Sequence, residues 1–165
     1  MANKRGWGGA RPGAGRRPGP DPKVSHRARE EHDGRRPLLV TFRRAKDAPS
    51  LRGASVTRAI HEAIRGASTA AATSMAAATT NAAFRIVRFA ISPTEVQLIA
   101  HATDQRSLAW GARSVAIRVA RAINGVLGRK GPVWSERYRT RALTTAREVR
   151  DATNDPKKQW VAVRA

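Results

Sequence analysis

From Pro37 the run LLVTFRR alternates, with Leu38, Val40 and Phe42 on one side and Leu39, Thr41 and Arg43 on the other, which predicts a first strand. Across residues 50–67 the apolar positions Leu51, Val56, Ala59, Ile60, Ala63 and Ile64 recur at three- and four-residue spacing, which predicts a helix with Ser50 as its N-cap. Residues 68–81 are low-complexity Ala and Thr and read as a spacer, or as a fraying extension of that helix. Two strand-like runs follow, FRIVRFAIS (84–92) and EVQLIAHA (95–102), separated only by Pro93 and Thr94, so a tight antiparallel hairpin is expected.

A second helix is predicted over residues 107–127, its apolar stripe formed by Leu108, Ala112, Val115, Ala116, Val119, Ile123 and Val126, with Gly128 as its stop. GRKGP (128–132) reads as a turn and VWSERYRTRAL (133–143) as a strand. TTAREVRDA (144–152) opens a third helix capped by Thr144 or Thr145. The order strand, helix, strand, strand, helix, strand, helix is an α+β pattern: a ferredoxin-like, mainly antiparallel sheet with two helices on one face, plus a C-terminal helix. The expected organisation is a basic arm at 1–36, one folded domain at 37–155 and a short tail at 156–165.

Charge sharpens this picture. The 165 residues contain 32 Lys and Arg against 12 Asp and Glu, a net +20, which calls for an anionic partner. Residues 1–46 carry 13 basic and 4 acidic side chains and residues 103–150 carry 11 and 3, while 47–102 carry only 5 and 3. Ten of the first 22 residues are Gly or Pro, interleaved with Arg16, Arg17 and other cations, so this segment cannot build a core and is expected to be a disordered arm. Such arms attract phosphates and can enter a minor groove. The absence of Cys excludes disulfide frameworks, thiolate zinc sites and a cysteine nucleophile. No membrane span and no signal-peptide apolar region is visible, so a cytoplasmic protein is expected.

The cations fall into patterns. Arg137, Arg139 and Arg141 alternate on one side of the predicted fourth strand, with Trp134 and Tyr138 on the other, either as core or as stacking surfaces for bases. Arg118, Arg121, Arg129 and Lys130 line the second helix and its exit, as phosphate contacts or as a solvated face. No histidine is assigned a catalytic role, and Ser92 and Ser135 lack triad partners.

Four segments, GGARPGAGRRPG, FRIVRFAIS, RSLAWGARSVAIRVARAINGVLGRKG and VWSERYRTRALTTAREVRDA, resemble the REP-associated tyrosine transposases of the HUH single-stranded-DNA superfamily. That resemblance implies a His-hydrophobic-His pair on a strand that holds a divalent metal, and a Tyr on the C-terminal helix that attacks the phosphate. In this sequence the His pair falls on Glu95 and Gln97 and the Tyr on Asp155, and a further ligand position falls on Gln159. All three required residue types are missing, and Pro156 should break the helix that would have carried the nucleophile.

The expectation is a catalytically impaired relative that binds single-stranded or hairpin DNA. Two alternatives stay open. One is an active Mg- or Mn-dependent nuclease or transposase with an altered site drawn from Glu95, Gln97, His101 and Asp155; the other is a general basic binder of DNA or RNA. Homodimerisation, implied by the family, is also open.

Overall fold

The computed structural model describes residues 32, 34–73, 83–155 and 158–163. Most of the basic arm, including Arg16 and Arg17, part of the Ala/Thr spacer, and Pro156 lie outside them. The elements are β1 (Leu38–Arg43), α1 (Ala54–Thr73), β2 (Phe84–Ile91), β3 (Glu95–Ala102), α2 (Gln105–Val126), β4 (Arg139–Ala142), α3 (Ala146–Thr153) and β5 (Trp160–Ala162). They form one antiparallel sheet in the order β4-β1-β3-β2-β5, in which the first four strands have the ferredoxin-like arrangement.

Register decides what each strand offers to each face. β1 pairs with β3 so that Val40 lies opposite Leu98 and Phe42 opposite Val96, and these residues are buried together with Phe89 of β2. Val56, Ile60 and Ile64 of α1 and Leu108, Val115, Val119 and Ile123 of α2 close the core over that side of the sheet. Leu39, Thr41, Glu95, Gln97, Ile99 and His101 therefore face the other way, toward the side the two long helices leave open.

Several boundaries differ from the sequence pattern, each for a local reason. α1 starts at Ala54 rather than near Ser50, because Leu51 is drawn into the core and its N–H donates to the Pro93 carbonyl (3.2 Å). The helix then continues through Thr73, as the helix-extension alternative for this segment allows. α2 starts earlier than expected because its cap is Asp104, whose carboxylate accepts from the Ser107 N–H (2.8 Å). Val126, expected on the buried stripe, is exposed.

The predicted fourth strand is broken. Trp134 makes only an isolated bridge to Arg44, and continuous pairing resumes at Arg139, because the intervening chain turns Tyr138 inward. The expected hairpin and third helix are present. Ser92 holds the Pro93–Thr94 loop by accepting from the Glu95 N–H (3.0 Å), and Thr145 with Glu148 forms a capping box on α3. The segment expected only as a tail contributes β5, an edge strand paired with β2.

Because β4 and β5 are opposite edges, about 19 Å apart at the usual strand spacing, the chain after β4 must traverse one face of the sheet. It takes the open face, where Lys158 reaches Glu95.

Gly111 of α2 lies against the Phe84 ring, which a Cβ there would overlap. Gly111→Ala should therefore lower the thermal midpoint, the overpacking cost of about 1–3 kcal/mol exceeding the helix-propensity gain of about 1 kcal/mol. An unchanged or higher midpoint would show that Phe84 yields freely. The Ser107 N–H, then the Ser107 and Thr103 hydroxyls, hold the Asp104 carboxyl below the usual carboxylate range. A lowered pKa contributes stability above the unfolded value of about 4 and loses it as pH falls through the folded one. Asp104→Asn, which keeps the cap, should flatten this acid-side loss in pH-dependent unfolding; an unchanged acid profile would count against it.

Candidate nucleic-acid interface

Two surfaces gather the charged and aromatic residues. The first is the open face of the sheet. Arg139 and Arg141 of β4 pair with Thr41 and Leu39, so both point to this face, alongside Arg43 of β1. Arg85 and Arg88 of β2 join them from the far side. Three residues apart, these two would point in opposite directions on a regular strand, but a bulge at Val87 sets Arg85 opposite His101 and Arg88 opposite Ile99. All five arginines are exposed. Arg43, Arg85 and Arg88 were not singled out by sequence pattern, because strand parity separates Arg85 from Arg88 and only the bulge unites them.

At the centre of this face Gln97 donates from Nε2 to Glu95 Oε1 (2.8 Å), and Lys158 Nζ lies 3.9 Å from the same oxygen and 3.2 Å from Asp155 Oδ2. The Lys158, Glu95 and Asp155 side chains are each less than one-third exposed. The three positions that the resemblance assigns to metal and nucleophile thus do converge, but on an ammonium. A divalent cation would have to displace Lys158, and Gln97 turns an N–H rather than an oxygen toward Glu95, so the residues present do not fit Mg or Mn.

The other metal candidates stand apart. His101 is four residues beyond Gln97, about 14 Å along the strand, and its pKa is lowered by burial and then by Arg85 and His32. Gln159 lies on the opposite side of the sheet with His61, Phe89 and Val161. Burial and then Arg65 lower the pKa of His61, whose ring stands edge-on to Phe89 at 4.8 Å. Asp155 follows the Asn154 cap of α3, so the chain has left the helix before the position that the nucleophile would hold. Among the described residues no group of three or more His, Asp or Glu is placed to hold a metal.

The second surface is a cleft of about 420 Å³ between α2 and residues 134–138. Phe42, Ala116, Trp134 and Tyr138 line it, with Trp110, Arg113, Glu136 and Arg137 also contributing. Arg137 is thereby separated from Arg139 and Arg141, with which strand parity had grouped it, because pairing begins only at Arg139. Tyr138 is buried against Phe42 (centroids 6.1 Å apart) and serves the core. Trp110 and Arg113 escaped the sequence reading, although a Trp off the apolar stripe of an amphipathic helix was the available signal. Arg118, Arg121 and Lys130 are exposed and Arg129 is half-buried at the helix exit.

No protein-family model matches the sequence, and no curated protein does. Solved structures do match. One, a REP-associated tyrosine transposase bound to a REP hairpin, aligns with a TM-score of 0.53 at 14% identity, over 78% of this chain and 68% of that one. Another, a protein of Deinococcus radiodurans R1 provisionally named a transposase, aligns with a TM-score of 0.50 at 16% identity, over 70% of this chain and 83% of that one. This chain has a transposase-like fold. At these identities the likeness is one of architecture, and within that architecture the Lys158 cluster and the arginine-rimmed open face are features of this chain's own residues. No helix among the described residues is long and apolar enough to cross a membrane.

Lys158→Met should destabilise the protein by about 1 kcal/mol at neutral pH by leaving Glu95 and Asp155 without their shared cation. In a cycle with Glu95→Gln, denaturant unfolding should return a coupling of about 0.5–1 kcal/mol. Strict additivity would mean that the 3.9 Å approach carries no energy.

Proposed function

We propose that this protein binds DNA in single-stranded or hairpin form on the transposase-like scaffold, without cleaving it by the tyrosine and metal route. The observation that carries this reading is the ammonium of Lys158 between Glu95 and Asp155, inside a face rimmed by Arg43, Arg85, Arg88, Arg139 and Arg141. Neither Glu95 nor Asp155 offers a phenol to form a phosphotyrosine, and the chain's single tyrosine, Tyr138, is buried in the core. The arginines retain what binding requires: planar forks that pair with phosphates and stack on bases. The neighbour bound to a REP hairpin makes a structured single strand the natural first ligand, and the net +20 supplies long-range attraction.

Binding by counterion release makes affinity steeply salt-dependent, falling by about 10³–10⁵ between 50 and 200 mM salt if six to ten phosphates are contacted. Anisotropy titrations with hairpin-bearing single-stranded DNA should show this. Arg141→Gln should reduce the log-log salt slope by about one. A flat salt response would overturn the reading, and equal affinity for hairpin DNA, duplex DNA and RNA would replace it with a general basic binder.

A further inference from the structure

The cleft beside α2 is separate from the open face, and its walls differ in kind. Trp134 is fixed. Its indole N–H donates to the Ala116 carbonyl (2.9 Å), and its ring leans on Phe42 with centroids 5.5 Å apart. Trp110, 59% exposed, lines the same cleft from α2, whereas Leu108, Val115, Val119 and Ile123 of that helix are buried in the core. An aromatic slot with one rigid wall costs little ordering entropy when a flat ring enters it.

The rim is cationic. Arg113 sits one turn beyond Trp110 on α2. Arg137 lines the same opening from the segment at 134–138. The only acid lining the cleft among the described residues, Glu136, is engaged by Arg139 at 2.7 Å, so its charge is offset rather than set against an incoming anion. A volume of about 420 Å³ lies within the roughly 300–1,000 Å³ of small-molecule sites. A slot with flat apolar walls and guanidinium groups at its mouth matches a planar heterocycle attached to phosphates, whereas an apolar peptide would leave the arginines unanswered.

We infer that this cleft receives an unpaired nucleobase of the bound DNA, stacked between Trp110 and Trp134, with the flanking phosphates on Arg113 and Arg137. The inference rests on the DNA-binding reading above and adds a base-stacking site to it.

Two hairpin DNAs test it. One carries a short unpaired tail, and the other has the same tail built from abasic sugars, so that phosphates are equal and only bases differ. Stacking of one base on an aromatic residue is worth about tenfold in affinity or more, so the full-length protein should prefer the intact tail by at least about tenfold. Trp110→Ala should abolish that preference while leaving abasic binding and the salt slope unchanged, and Trp110→Phe should keep most of it. Equal binding of the two DNAs by the unmodified protein, or a preference that survives Trp110→Ala, would overturn the inference while leaving salt-dependent DNA binding standing. Absence of salt-dependent binding to either DNA would remove the DNA-binding reading itself, and this site with it.

Discussion

The pairing of β1 with β3 at the centre of the sheet is the constraint on which the other features depend. Six residue pairs, from Leu38 with Ala100 to Arg43 with Glu95, fix which side chains face α1 and α2 and which face the open side. A slip of one residue would invert one strand against the other, sending either Thr41 of β1 into the core in place of Val40 and Phe42, or Glu95 and Gln97 of β3 in place of Val96 and Leu98. The slip is prevented by burial. Val40, Val96 and Leu98 are fully enclosed, and losing a single such side chain from a core costs on the order of 1–3 kcal/mol. The arginines and the Lys158 cluster are therefore placed by the hydrophobic pattern of the opposite face.

Much of this could be read from the chain. Alternation in LLVTFRR separated the two sides of β1 as the structure has them, and helical spacing found the buried stripe of α2 except for Val126. What escaped depended on tertiary context. The bulge at Val87 leaves no mark in FRIVRFAIS, whose alternation alone separates Arg85 from Arg88. Trp160–Ala162 is too short to declare itself as a strand, and it becomes one because β2 presents an unpaired edge. Ser50 is a good cap residue in isolation, but burial of Leu51 moved the helix start beyond it. At the site, Glu95 and Gln97 were identifiable as neighbours on one face, whereas Lys158 gains its role only because the chain crosses that face between opposite sheet edges.

The combination suits a protein that holds nucleic acid. Arginines at the sheet margins and along α2 supply charge, and His61 and His101 are pushed toward the neutral form by burial and nearby cations, so the positive field comes from groups that stay charged across physiological pH. Lys158 offsets one of the two carboxylate charges of Glu95 and Asp155, which lowers the repulsion a phosphate backbone meets at the most acidic part of the open face.

The most direct test of whether an ammonium has replaced cleavage chemistry is to incubate the protein with end-labelled, hairpin-bearing single-stranded DNA plus Mg²⁺ or Mn²⁺ and resolve the products on a denaturing gel. The account predicts DNA of unchanged length and no protein-linked species. A metal-dependent nick, or a covalent adduct that survives denaturation, would contradict it.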